Sequence, residues 1–374
     1  MYRDIETVDD PVTAHVAAEA GRSYMLNFQA EDAIEAIERM LPIADREGMT
    51  EVTLNSLITQ ATALGNVGRT VEARTILEGA AVVAEDTGLL MAESRALNNL
   101  AAILASDDPI AAMAVTERSG ELITRLGDNR WGVRNAYDRA FNECDMGRYD
   151  KALSLLDTYE LDELSEWWQG FWNIERMWVE LLRTGDPAVH DKLVEALSAY
   201  SEETDPQLRA GIDAWQAGWH NTIGRWDDSY DLAMSIDSQT GEALGHAAVA
   251  AAWTRDPERV DAVIERLKTL EGRGAMLDGL NVVLTASGTA LSGDTVEASR
   301  LFSEVIARLE HLAPANALNQ IRMTFAMLVG QDDPAAARAA HDAYEWLTAT
   351  GTNALIEVYA DGLPPTTVED QATG

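Results

Sequence analysis

The stretch "GRYDKALSLL", Gly147 to Leu156, carries a glycine, an aromatic residue, a small residue at Ala152 and then apolar residues at helical spacing. Nearly the same punctuation returns as "GRTVEARTIL" from Gly68 and "GDTVEASRLF" from Gly293. Aligned on Gly147, the turn signals fall at Phe28, Gly68, Asp107, Gly147, Gly185, Gly224, Arg255, Gly293 and Asp332. The steps are 40, 39, 40, 38, 39, 31, 38 and 39 residues. A chance match would not hold its period along the chain, so the sequence is an internal repeat. Five residues after the landmark stands a small side chain, at Ala33, Ala73, Ala112, Ala152, Ala298 and Ala337, with Ser229 as another. His190 and Val260 depart from that rule.

Each landmark separates two helical patterns. Leu54, Leu57, Ile58, Ala61 and Leu64 precede Gly68, and Ala73, Ile76, Leu77, Ala80 and Ala84 follow it. Positions i, i+3, i+4 and i+7 share one face of an α-helix. The small residue lets two antiparallel helices approach closely. Gly, or Asp followed by Pro as in "SDDP", "TGDP", "TRDP" and "QDDP", ends one helix and starts the next. Helices of about 14–17 residues, roughly 21–26 Å long, are expected. One hairpin cannot bury both its apolar faces, so stacked neighbours complete the core. No alternating strand pattern of useful length appears. The reading is an all-α, right-handed αα-hairpin superhelix with about nine repeats of 38–40 residues. It predicts an N-terminal extension over 1–12, a single repeat domain over 13–361 and a disordered polar tail over 362–374. The glycines of "EGRGAMLDG" (272, 274 and 279) mark an inter-repeat loop.

The small position before the turn (Gly21, Ala61, Ala140, Ala217, Ala286), the "GRYDKA" turn and the small residue after it resemble the tetratricopeptide-repeat superfamily over roughly residues 13–350. The long period is similar to the superhelical sensor regions behind ATPase modules in large bacterial transcription activators and signalling cyclases. "RALNNLAAILASDDPIAA" (Arg95 to Ala112) and "AEDTGL" (Ala84 to Leu89) carry that likeness. It implies a piece of a longer chain. It also implies that the first helix of each pair lines a concave ligand face. Transferred here, those positions are Arg134, Tyr137 and Phe141, then Trp172, Glu175 and Val179, with Asn98 as a polar candidate one repeat earlier. The lysine–asparagine carboxylate clamp of chaperone-binding members is not matched.

The formal net charge is −35, from 63 acidic and 28 basic residues, and only Lys151, Lys192 and Lys268 are lysines. Phosphate backbones and anionic membranes would be repelled by such a surface, so neither nucleic acid nor a membrane is expected as partner. No apolar run reaches the roughly 18 residues that span a bilayer, and no signal peptide opens the chain. Cys144 is the single cysteine, which fits a reducing cytoplasm and excludes an intrachain disulfide.

No constellation of residues points to catalysis, a metal or a cofactor. "EGRGAMLDG" lacks the Lys and hydroxyl of a phosphate loop. Histidines 15, 190, 220, 246, 311 and 341 are far apart along the chain. Acidic pairs such as Asp107–Asp108 and Asp332–Asp333 stand before Pro, where Asp caps a helix. Cys144 reads as a buried structural thiol. Ten tryptophans, nine of them between Trp131 and Trp253, are the one compositional oddity. They either fill space between long helices or line a groove. The expected function is a non-enzymatic interaction or sensor module for a peptide, a protein segment or a small effector. Its groove would use Asn98, Arg134, Tyr137, Phe141, Trp172 and Glu175. The alternative is a structural scaffold with no ligand groove.

Overall fold

The computed structural model describes residues 10–364 except 28, 106, 128, 161, 163, 199, 201–205, 237–240 and 271–273. Landmark Phe28, Gly272 of the expected loop, residues 1–9 of the expected extension and 365–374 of the expected tail lie outside the described residues. Pro11 and Val12 already belong to the first helix, which Asp10 caps by accepting from the Thr13 N–H at 2.8 Å. Gly362 and Leu363, placed by the sequence in the tail, are buried.

The chain divides into two compact units. The first, Met1–Arg139 with Glu271–Gly274, holds α1 (Pro11–Leu26), α2 (Ala30–Arg46), α3 (Thr50–Asn66), α4 (Thr70–Thr87), α5 (Leu90–Leu104) and α6 (Pro109–Leu126). The boundary falls inside α7 (Asn129–Asp145). The second, Ala140–Leu270 with Ala275–Gly374, begins with α8 (Tyr149–Leu156), α9 (Glu166–Thr184), α10 (Pro187–Ser198), α11 (Pro206–Thr222) and α12 (Trp226–Ser235). It continues through α13 (Gly241–Trp253), α14 (Pro257–Leu267), α15 (Ala275–Leu291), α16 (Thr295–Leu309), α17 (Ala315–Val329), α18 (Pro334–Thr350) and α19 (Asn353–Val358). Among the described residues every regular element is helical, and the fold is an all-α superhelical array of αα-hairpins.

The hinges show why the chain reverses where it does. Gly147 has φ +73°, and the N–H of the next residue, Arg148, donates to the Glu143 carbonyl five residues back at 2.8 Å. The same bond recurs at Arg69 to Leu64, Arg225 to His220 and Thr352 to Leu347, each at 2.9 Å. It satisfies a carbonyl that the helix end would orphan, and it needs a left-handed residue that glycine supplies cheaply. Arg255 takes that conformation without being glycine, at φ 54°. Asp108, Asp186, Asp256 and Asp333, each before Pro, accept N–H bonds from the first turn of the helix they open.

Ala33, Ala73, Ala152 and Ala298 are fully buried, as are Ala61, Ala140, Ala217 and Ala286 before the hinge. Ala337 is a correction: it is half-buried, and Ala336 takes the buried place one residue earlier. Helix length is another. The odd-numbered helices mostly meet the expectation, but α8, α10, α12 and α14 have 8, 12, 10 and 11 residues. Within each unit, consecutive odd-numbered helices lie side by side: α1, α3 and α5 in the first, and α9, α11, α13, α15 and α17 in the second. Most even-numbered helices pack instead on their sequence neighbours, so the odd helices form the inner layer. In the first unit the core joins Leu54, Ile58 and Leu64 of α3 to Leu77 of α4 and Leu97, Leu100 and Leu104 of α5.

Gly88 and Gly147 separate two costs. Both have positive φ, but a Cβ on Gly88 meets nothing within 4 Å, whereas one on Gly147 would sit 2.6 Å from Thr350 Cγ2 and 2.8 Å from Trp346 Cζ2. Gly88→Ala is expected to cost about 1–2 kcal/mol for the left-handed backbone alone. Gly147→Ala should exceed it by about 1–3 kcal/mol from overpacking. Urea unfolding of the two variants measures the difference, and equal losses would remove the packing role of Gly147.

Candidate functional site

In the first unit, the inner layer presents an arginine held by uncharged groups. Arg95 on α5 donates to Asn55 Oδ1 at 2.6 Å and to Thr59 Oγ1 at 3.0 Å, both on α3. Those acceptors are themselves fixed: Asn55 donates to the Glu51 carbonyl and Thr59 to the Asn55 carbonyl, each at 3.0 Å. Residues 55 and 59 lie one helical turn apart, so α3 offers them together. Desolvation, with nearby Arg22 adding to it and Glu19 opposing, lowers the Arg95 guanidinium to about 10. Among the described residues no carboxylate lies within ion-pair distance of Arg95. A cation removed from water and paired only with neutral dipoles is costly, and it favours an anionic ligand.

Asn98 stands one turn along α5 from Arg95. Its Oδ1 accepts from Ser119 Oγ at 2.8 Å, and Ser119 also meets Ser94 at 3.2 Å. Among the described residues no protein acceptor takes the two amide hydrogens of Asn98. Arg95 and Asn98 therefore place a guanidinium and a carboxamide on one helix face. Arg95 was not among the residues expected to form the site.

The other expected residues fall in different settings. Arg134 is exposed and sits 3.8 Å from Asp138, whose carboxyl desolvation pushes up to about 6. Tyr137 is buried, at 6 % exposure. Phe141 is half-buried, with its ring centroid 5.9 Å from that of Trp215. Trp172 is fully buried, and its indole N–H donates to the Leu156 carbonyl at 2.8 Å. That carbonyl ends the short helix α8, and Trp172, Trp168 and Tyr159 fill the space beyond it. Glu175 is buried beside Cys144. Burial and the adjoining Glu175 push the Cys144 thiol up, the reverse of what activates a nucleophile. Tyr137, Trp172 and Glu175 thus belong to the interior of their helix layers rather than to an open wall. Arg134, Phe141 and Asn98 remain accessible.

The histidines correct the impression given by their spacing along the chain. His190 occupies the small-residue position of its repeat, fully buried, and its Nε2 lies 3.0 Å from His220 Nδ1 on α11. His190 Nδ1 faces Asp191 at 3.3 Å, and His220 Nε2 faces Gln216 Nε2 at 3.4 Å. One assignment satisfies all three with both rings neutral: Gln216 donates to His220, His220 to His190 and His190 to Asp191. Burial is the leading cause that lowers both rings, His220 to about 4 with the neighbouring His190 adding to it. Arg225 lowers both as well, Asp191 raises His190, and Asp228 raises both. Among the described residues no three His, Cys, Asp or Glu side chains gather as a metal site. No described helix is long and apolar enough to cross a membrane.

No family model matches the chain, and no curated protein matches it. Among solved structures it is similar to the apo form of the quorum sensor NprR from B. thuringiensis, at 11% identity and a TM-score of 0.37 over 88% of this chain and 86% of that one. It is also similar to a circular tandem repeat protein with novel repeat topology and enhanced subunit contact surfaces, at 15% identity and a TM-score of 0.20 over 96% of both. Both likenesses are distant, and the fold rests on the helices and hinges described above.

The histidine pair sets an acid limb on stability. Its pKa values are depressed in the folded state, so the unfolded chain binds more protons once pH falls below about 6.5. Stability from the pair is complete above that pH and is lost as pH falls toward about 4, the value for His220. The loss should be on the order of 2–3 kcal/mol. Asp145, raised to about 7 by desolvation, acts oppositely and weakens the fold as pH rises from about 4 to 7. Urea midpoints at pH 7, 5.5 and 4.5 should therefore drop more steeply for the natural protein than for His220→Gln. Parallel profiles would show that the pair does not titrate with folding.

Proposed function

We propose that this chain is a non-enzymatic interaction module that captures a carboxylate-bearing peptide or protein segment on the inner layer of its first unit. The observation that carries this reading is Arg95, partly buried and hydrogen-bonded to neutral acceptors alone. Its guanidinium supplies the charge and fork geometry that a carboxylate matches, and the Asn98 amide supplies a further donor one turn away. Asn55 and Thr59 hold the guanidinium in one pose before any ligand arrives, which reduces the ordering cost of binding. A chain of net charge −35 repels most acidic partners at long range, so capture of an acid here depends on close, desolvated contact.

The test is an array of peptides synthesised in pairs, one with a free C-terminal carboxylate and one amidated, read by fluorescence anisotropy. The natural protein should favour the acids. Arg95→Gln should lower affinity for them by roughly 10–100-fold while leaving amides unchanged. The same variant should unfold no more readily, because it removes an isolated cation rather than half of an ion pair. Acid and amide forms bound alike by both proteins would sink the site. Loss of stability with unchanged binding would make Arg95 a purely structural group.

A further inference from the structure

A linear repeat array joins each repeat to its neighbours alone. The second unit departs from that rule. Its C-terminal segment, the end of α18, then α19 and a one-turn helix at Ala360–Gly362, runs back over the hinges of earlier repeats. Thr350 and Trp346 fill the space over Gly147, at 2.6 and 2.8 Å from where a Cβ would stand. Tyr149, two residues after that hinge, shares a hydrogen bond with Thr352 at 2.7 Å across 203 residues of sequence. Ala354 lies over Gly185, its Cα 3.2 Å from such a Cβ, and Val358 lies over Gly224 at 3.5 Å. Asp361 meets Arg255, the hinge with a positive φ and no glycine, at 3.8 Å. Ala354 and Val358, four residues apart, share one face of α19, and Thr350 before it and Asp361 after it continue the series, so the segment meets one hinge after another in chain order.

The seam is tightly packed. Tyr359 is fully buried, with its ring 5.3 Å from Trp226 and 4.6 Å from Trp253, and those indoles stack at 5.6 Å. Leu355 is fully buried as well, and α19 packs on both α9 and α11. Beyond Tyr359, Gly362 lies against the Met323 carbonyl, and Gln331 donates to the Leu363 carbonyl at 2.6 Å. One atom in the seam is poorly served: among the described residues the Tyr359 hydroxyl is buried with no hydrogen-bond partner.

We propose that residues 346–363 are an intramolecular clasp that ties four successive hinges of the second unit, so that these repeats open together rather than singly. The clasp fixes the spacing of α9, α11 and α13 in advance, and any ligand of that inner layer meets a curvature already set.

Hydrogen exchange on the full chain tests this, because the Gly147, Gly185 and Gly224 amides are each hydrogen-bonded to a carbonyl of the preceding helix and report opening directly. Two conservative variants act on the clasp in opposite directions. Thr352→Val removes the bond to Tyr149, and protection should fall by about ten-fold. Tyr359→Phe removes the unpartnered hydroxyl, and protection should rise by a similar factor. In each variant the three hinge amides should change by the same factor as the amides of α19, while α1–α6 stay as they were. Hinge amides that keep their natural protection, whether or not α19 changes, would overturn the clasp.

Discussion

Two helices close to packing distance only where the side chain between them is short, and in this chain that requirement recurs with nearly every hairpin. Ala61 with Ala73, Ala140 with Ala152 and Ala286 with Ala298 flank a hinge and are all fully buried. With helices drawn together there, the longer residues at helical spacing must interlock on either side, and the next pair must cover what one hairpin leaves open. The turn chemistry serves the same end. A left-handed residue and a backward N–H bond bring the second helix out at the angle that makes the small residues meet.

The fold was legible because both requirements write themselves into sequence. A period near 39 residues, a small residue at a fixed distance from a glycine or Asp-Pro, and apolar residues three and four apart are local marks. The hinge caps at Asp108, Asp186, Asp256 and Asp333 follow from the same marks. What the period hid was variation in helix length. The eight-residue α8 stops at Leu156, and the space it leaves is filled by Trp172, whose N–H serves the carbonyl at that end. Counting back from Gly185 sets Trp172 in register with Arg134, but register along a helix does not say what the neighbouring helix fails to cover. Trp172 and Glu175 therefore moved from wall to interior, while Arg134 stayed exposed.

The candidate site was less legible, for a different reason. Arg95 appears within the quoted stretch Arg95 to Ala112, yet nothing in one-dimensional spacing distinguishes it from an exposed arginine. Its character comes from Asn55 and Thr59, 40 and 36 residues earlier, which meet it only after hairpins stack. His190 did leave a mark: it broke the small-residue rule at a position that is otherwise buried. A polar ring at such a position must find a partner inside, and His220 supplies it from the next repeat.

The clasp follows from the same geometry taken one step further. A stack of repeats that only touch in sequence can gain or lose a terminal repeat with little effect on the rest. Once Thr352 bonds Tyr149 and Tyr359 packs on Trp226 and Trp253, the last hairpin is a neighbour of earlier ones, and strain in any hinge is shared by the segment that crosses them. Two of the tryptophans that enrich the middle of the sequence take part in that closure: Trp226 and Trp253 meet the C-terminal segment. For these two the packing need is specific to this unit: a strap laid over hinges leaves gaps of irregular shape, and large flat rings fill them with little conformational freedom to lose.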